Sequence, residues 1–195
     1  MRYFLVETTG DYMDRKLVYI DQPPEDIGLY SYCMARGERI GERYPDPANI
    51  FLRTEYPGIK LASLLGNTLN YLIVNSAMKQ IIAEASNSEL ELLSFNLYNH
   101  KKRIHSTDYW IINPIGTIDC LNLTASEIKY MPDGVRVIAV KKIVLDPGKL
   151  SMEPTLFRIK ENPGKYVINT TLAKSFQERE FTNIFLEELN LQQDN

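Results

Sequence analysis

The apolar run at residues 109–112 (YWII) constrains the fold of this chain more than any other feature. Successive side chains of a β-strand point to opposite faces of its sheet, so a run that is apolar at every position is buried on both faces. The proline and glycine of residues 113–116 (NPIG) are typical of a turn that ends such a strand. The pattern therefore predicts a strand in the centre of a sheet, running to Asn113, with other elements packed on both of its sides.

Two amphipathic helices are predicted on either side of this strand in sequence. Helical spacing is shared by the apolar residues Val74, Ala77, Met78, Ile81, Ile82 and Ala85. Asn75 is placed to cap this helix, because its side-chain oxygen can accept a free amide of the first turn. Asn169 can cap a final helix in the same way, with Leu172, Ala173 and Phe176 on one face.

Short strands account for most of the remaining apolar segments. Residues 3–6 and 17–20 are predicted as an opening strand pair, and residues 93–97 alternate in polarity as a half-buried strand does. Further strands are predicted at residues 135–145, 156–159 and 166–168, a short helical turn at 125–130, and surface loops from 37 to 58. Helices and strands mix without βαβ alternation, which favours an α+β fold: a mixed, mainly antiparallel sheet with a few helices packed on it.

Charge and composition exclude several classes of protein. The net charge of −3 argues against a binder of phosphate backbones, which needs a basic face, so we expect no nucleic-acid partner. No apolar run reaches the roughly 18 residues that span a bilayer, and the acidic Glu7 follows the start too soon for an export signal. Two cysteines are too few for a disulfide framework and suit the reducing cytoplasm. Residues 1–98 hold 9 basic and 13 acidic side chains, and this acidic half suits a basic partner or a merely solvated surface.

Asp119 is the strongest candidate for a catalytic group. It follows a turn at the end of the predicted central strand, but a carboxylate there also suits a cap that accepts bonds from backbone amides. The adjacent Cys120 gains no reactivity from this neighbour, because a carboxylate raises the pKa of a thiol. Cys120 is therefore interpreted as a small buried apolar residue. An enzyme would depend on Asp119 alone, with Tyr109 or His105 nearby.

Sites for metals and phosphates are not indicated. His100 and His105 could approach each other across a hairpin, but two ligands are too few for a metal site, and neither cysteine has a partner at ligand spacing. The glycine-rich phosphate loops and the nucleophile motif GxSxG do not occur. We therefore expect no cofactor, no metal and no enzymatic activity.

Several segments, taken in their order along the chain, resemble a known family. These segments are residues 67–75 (NTLNYLIVN), 109–114 (YWIINP), 118–121 (IDCL) with Ser126, 144–146 (VLD), 157–161 (FRIKE) and 181–185 (FTNIF). The ordered set is similar to the predicted immunity proteins of bacterial polymorphic toxin systems, the eleventh such class. The resemblance covers residues 60–187, and the loop-rich residues 1–60 match loosely around Arg36 and Gly37. Asn183 stands where the family is expected to have glycine, and Asn is the next-best residue for a left-handed backbone.

The resemblance implies one immunity-type α+β domain over residues 1–195. It also implies a cytoplasmic protein, encoded beside a toxin gene, that binds and blocks that toxin without catalysis. Such an inhibitor needs aromatic anchors and complementary charge, which the acidic loops supply. The predicted partner-binding residues are Glu38, Glu42, Tyr44, Asp46, Phe51, Glu55 and Tyr56. The aromatic residues among them could instead pack their own loops.

Two alternatives remain open at this point. The first is a small enzyme using Asp119, which predicts a concave pocket around that side chain and a raised carboxyl pKa. The second is a scaffold or regulatory binding module that is unconnected with toxins.

Overall fold

A computed structural model describes residues 1–150 and 152–193 of the chain. Its strands are β1 (Tyr3–Val6), β2 (Tyr19–Ile20), β3 (Asn49–Phe51), β4 (Gly66–Asn67), β5 (Leu72–Asn75), β6 (Leu90–Tyr98), β7 (Ile104–Pro114), β8 (Glu127–Tyr130), β9 (Val137–Lys142), β10 (Val144–Leu145), β11 (Leu156–Ile159), β12 (Asn162–Asn169), β13 (Leu186–Glu188) and β14 (Asn190–Leu191). Its helices are α1 (Cys33–Arg36), α2 (Ser76–Ala85) and α3 (Thr170–Glu178), and 3₁₀ turns cover Gly28–Tyr32, Gly41–Arg43 and Pro147–Lys149. Most strand pairs are antiparallel, so the predicted α+β class is confirmed.

The apolar run at 109–112 lies in the interior of a four-stranded sheet of order β3-β6-β7-β5. In β7, Ile111 pairs with Ile73 of β5 on one side and with Leu93 of β6 on the other. Ile111 and Ile112 are both fully buried, because each face of the sheet is covered. The predicted central strand is confirmed.

The second four-stranded sheet, of order β11-β12-β1-β13, corrects the predicted opening strand pair. Strand β1 pairs with β12 and β13, where Leu5 lies opposite Val167 and Glu187. The other proposed partner contributes the short strand β2, which pairs in parallel with β4. Short apolar runs carry little register information, and tertiary packing selected partners that are distant in sequence.

Helices α2 and α3 pack against each other and join the two sheets. Met78 and Ile82 of α2 share an apolar cluster with Leu172 and Phe176 of α3, and residues of both sheets complete it. Each helix begins at the predicted cap: the Oδ1 atoms of Asn75 and Asn169 accept the amides of Met78 and Leu172, both at 3.0 Å. Within residues 1–150 and 152–193, no helix combines the length and the apolar character that crossing a membrane requires.

Two further segments differ from the sequence-based expectation. The helical turn predicted at 125–130 is wrong: Glu127–Tyr130 forms β8, which makes a hairpin with β9 around the predicted turn at 132–134. The strand predicted at 135–145 is divided into β9 and β10. Residues 37–58 are not all loop, because β3 adds an edge strand to the first sheet and buries Ile50. Such short segments have no periodicity long enough to distinguish a strand from a turn.

Candidate functional site

A cleft of about 330 Å³ opens on the surface where three segments of the N-terminal half meet. Its polar and aromatic lining includes Asp11, Tyr12, Asp14, Tyr19, Glu55 and Tyr56. The loop between β1 and β2 forms one wall, and the segment after β3 forms the other. We refer to this feature as the acidic cleft.

Backbone contacts fix the two walls against each other. The amide of Val18 donates to the carbonyl of Lys60 at 2.9 Å, and the amide of Lys60 donates to the carbonyl of Lys16 at 2.8 Å. This approach requires Gly58, since a Cβ there would collide with the carbonyl of Leu17. The two walls are therefore held together by the backbone pairing of Leu17 with Lys60.

Asn183, the residue found where glycine was expected, ties the acidic cleft to the rest of the protein. Its backbone is left-handed, with a φ of 61°, as predicted. Its Oδ1 accepts the amide of Asp11 at 2.7 Å, and its Nδ2 donates to the carbonyl of Leu64 at 2.9 Å. Gly10 leaves the space that this side chain occupies, because a Cβ at Gly10 would overlap the Asn183 amide. The departure from glycine thus adds two hydrogen bonds that glycine could not make.

Carboxylates dominate the electrostatics of the acidic cleft. Asp11, Asp14 and Glu55 line it together with a single guanidinium, that of Arg15. The pKa of Glu55 is lowered by hydrogen bonds from its own backbone amide and from Arg53, whose Nη2 lies 3.0 Å from Glu55 Oε1. The carboxyl group of Glu55 therefore stays ionised, and the lining is acidic at neutral pH.

Aromatic rings form the other part of the lining. The rings of Tyr19 and Tyr56 pack at a centroid distance of 5.0 Å, and burial raises the pKa of Tyr19. Tyr12 is 69% exposed and its neighbour Met13 is 73% exposed. Large exposed side chains on a rigid loop are typical of protein-binding surfaces.

The predicted partner-binding residues do not all lie in one place. Glu55 and Tyr56 line the acidic cleft, whereas Tyr44 and Asp46 line a second cleft of about 500 Å³ beside β6. Tyr44 is partly buried there, its hydroxyl donates to the carbonyl of Ser94 at 3.0 Å, and burial raises its pKa. Its hydroxyl is thus bound to strand β6.

The other three predicted residues lie at separate positions. The ring of Phe51 stacks on Tyr98 at 4.6 Å. The carboxylate of Glu38 accepts a weak hydrogen bond from the thiol of Cys33 at 3.8 Å, and Glu42 is exposed on a 3₁₀ turn. No role was predicted for Asp11, Tyr12 and Asp14, which lie between the two strands of the predicted opening pair.

Asp119 lies in a salt bridge instead of a catalytic or capping arrangement. Its Oδ2 is 3.0 Å from the ammonium group of Lys160, and its Oδ1 is 3.7 Å from that of Lys149. The hydrogen bond from Lys160 lowers the pKa of Asp119, whereas the enzyme alternative required a raised value. The capping interpretation is also wrong, since within residues 1–150 and 152–193 Asp119 binds lysine side chains and no backbone amide.

The groups proposed to assist Asp119 are engaged elsewhere. The hydroxyl of Tyr109 donates to the carbonyl of Ala62 at 2.7 Å. The Nε2 atom of His105 lies 2.8 Å from the carbonyl of Ile59 and must donate to it. Among residues 1–150 and 152–193, no three histidine, cysteine or carboxylate side chains come close enough to hold a metal ion.

A fully buried arginine, Arg158, was not predicted from the sequence. The guanidinium of Arg158 donates to four backbone carbonyls, those of Met34, Ala35, Pro114 and Pro163. It also donates to Asn113 Oδ1 and to the hydroxyl of Tyr166. The Cζ atom of Arg158 lies 4.0 Å from the centroid of the Tyr166 ring. Burial lowers the pKa of Arg158. An arginine inside the apolar strand 156–159 was the available sequence signal.

This arginine holds the N-terminal segment onto both sheets. Met34 and Ala35 lie in α1, whose last carbonyls have no partner within the helix. Asn113 extends the network, because its Nδ2 donates to the buried carboxylate of Glu91 at 3.1 Å. Glu91 in turn accepts the amide of Gly41 at 2.8 Å. These contacts give the network a structural role.

Both cysteines are buried, and we expect both to be unreactive in the folded protein. Burial, with smaller contributions from Glu161 and Asp119, raises the pKa of Cys120 to about 12, and burial also raises the pKa of Cys33. At neutral pH, a pKa rise of this size lowers the thiolate fraction of Cys120 about 1,000-fold. Labelling slows in proportion, because only the thiolate attacks the reagent. Labelling with a thiol reagent should be negligible in native buffer and complete in urea. A Cys33→Ser variant isolates Cys120, and its rapid native labelling would contradict the prediction.

The fold and the acidic cleft define a class of protein: a mixed α+β protein with a rigid, acidic and aromatic surface cleft. A model of the immunity protein family (Imm11) matches residues 6–190 of the 195, and the chain belongs to that family. The match confirms the resemblance seen in the sequence and includes most of the N-terminal part, which had matched loosely. A comparison with curated proteins found no match.

Proposed function

We propose that this protein is a cytoplasmic immunity protein that binds and blocks a cognate toxin encoded nearby. The observation that carries the proposal is the family match over residues 6–190. Immunity proteins are in general not enzymes, and the lysine-paired Asp119 supports a function without catalysis. We also propose that residues 1–195 act as a single domain, because Arg158 and strand β3 join the N-terminal part to both sheets.

The mechanism we propose is occlusion by a preformed surface. A rigid inhibitor loses little conformational entropy on binding, so more of the contact energy appears as affinity. The paired walls of the acidic cleft meet this requirement. Among the predicted partner-binding residues, Glu55 and Tyr56 have the strongest support, because they line that cleft and are exposed.

Co-expression with the neighbouring toxin gene tests the proposal. Bacteria that express the toxin from an inducible promoter should grow when they also produce this protein and should stop growing with an empty vector. The purified proteins should form a complex in size-exclusion chromatography, and a toxin of an unrelated system should not bind. Failure of both rescue and complex formation would refute an immunity function against that toxin.

A further inference from the structure

Building on the proposed function, we infer that the acidic cleft is the recognition site for an arginine or lysine side chain on an exposed segment of the toxin. Its lining brings three carboxylates and three tyrosines together around about 330 Å³. This volume is at the small end of ligand-binding pockets, which suits an inserted side chain better than a large ligand.

Charge complementarity identifies the occupant as cationic. Glu55 is already paired with Arg53, but the three carboxylates Asp11, Asp14 and Glu55 still outnumber the two guanidinium groups of Arg15 and Arg53. A phosphate or an acidic segment would be repelled by this excess of carboxylates. A guanidinium or ammonium group can form charge-assisted hydrogen bonds with the same carboxylates.

The tyrosines supply the second half of the recognition. A cation over an aromatic face is attracted by the ring, and the alkyl stem of an arginine or lysine packs against the rest of it. Tyr12 is available for such a contact because it is 69% exposed. Tyr56 is held in place by its packing on Tyr19, so it offers an oriented ring.

The carboxylates are already oriented before binding. The Oδ1 atom of Asp11 accepts the amides of Met13 and Asp14, at 3.0 and 3.3 Å, which fixes the turn that carries Tyr12. The Oδ1 atom of Asp14 accepts the amide of Lys16 at 3.0 Å. Preorganised acceptors need little ordering when a cation arrives, so the cleft is built for tight and selective binding.

Affinity measurements with matched variants test the inference. Tyr12→Ala should weaken toxin binding about 30-fold, as expected of a central aromatic anchor, and Asp14→Asn about tenfold. The controls are Tyr130→Ala and Glu127→Gln, an exposed tyrosine and an exposed carboxylate of the β8–β9 hairpin, both expected to leave the affinity within about twofold. Thermal unfolding of each variant verifies that the fold is retained.

Asn183→Gly tests the positioning of the cleft without touching its lining charges. Glycine accepts the left-handed backbone of this residue but loses the hydrogen bond to the amide of Asp11. Toxin binding should weaken about fivefold, while the decrease of affinity with rising salt is retained, because the carboxylates remain. Asn183→Asp, which keeps the acceptor oxygen, should recover part of the loss.

The toxin side of the complex completes the test. Each arginine and lysine of the toxin is replaced by alanine in turn, and double-mutant cycles with Asp14→Asn should show coupling to one of them. Wild-type binding that is unchanged by Tyr12→Ala and Asp14→Asn, or coupling only to an apolar or acidic residue, would overturn the cleft assignment and leave the immunity function standing. A wild-type protein that does not bind the toxin at all would overturn both.

Discussion

Replacement of Arg158 by methionine is expected to lower the free energy of unfolding by about 4 kcal/mol or more, a large share of the 5–15 kcal/mol of a typical domain. Methionine fills a similar space but donates no hydrogen bonds. The carbonyls of Met34, Ala35, Pro114 and Pro163 would then be buried without a partner. Each unsatisfied carbonyl costs about 1–3 kcal/mol, and partial relaxation reduces the sum.

Urea denaturation followed by circular dichroism measures this effect. The matched control is Arg136→Met on the β8–β9 hairpin, where the guanidinium is exposed and pairs with Asp133. A surface pair of this kind contributes at most about 1 kcal/mol, so the control should unfold close to the wild type. Equal stabilities of the two variants would show that the network around Arg158 contributes nothing.

Replacement of Asn67 by alanine is expected to have the second-largest effect, a loss of about 3 kcal/mol. This residue is 1% exposed, and its Nδ2 donates to the carbonyls of Thr8, Leu65 and Tyr71. Its Oδ1 accepts the amides of Leu69 and Tyr71, both at 3.1 Å. Alanine makes none of these side-chain hydrogen bonds, although the backbone bond from residue 67 to the carbonyl of Thr8 is retained.

The control for this prediction is Asn190→Ala, since Asn190 is exposed on the short strand β14. Its substitution should change the free energy of unfolding by less than about 0.5 kcal/mol, as is usual at exposed positions. Because the bond from Asn67 to Thr8 supports one wall of the acidic cleft, Asn67→Ala should also weaken the binding of a toxin that we propose for this cleft. A variant as stable as the wild type would contradict the assigned role.

The elements that were predicted correctly are those marked by a pattern within a short stretch of sequence. The central strand β7 followed from apolar residues on both faces, and the caps Asn75 and Asn169 followed from their position before an amphipathic face. The partners of β1 could not be predicted, because four apolar residues fit many registers equally well. Burial against strands that are more than a hundred residues away in the chain selects the partners of β1.

The candidate site was predicted only in part, for a related reason. Glu55 and Tyr56 were found because charge and aromatic residues are visible in the sequence, but their neighbours across the cleft come from residues 9–19. The pairing of Lys16 and Val18 with Lys60 is invisible to any local pattern. The left-handed backbone of Asn183 was predicted from the sequence. Its bonds to Asp11 and Leu64 were not predicted, because they depend on the tertiary fold.

The pairing of β1 with β12 and β13 also sets the time during synthesis at which the fold can be completed. Arg2 and Thr170, which are hydrogen-bonded, are 168 residues apart in the chain. At roughly 5–20 residues per second, a ribosome needs about 10–30 s between making the first and the last strand of this sheet. Until then the loop that carries Tyr12 lacks its anchor at Asn183. The fold around the acidic cleft therefore cannot be completed on a nascent chain, and any binding by this cleft requires the finished protein.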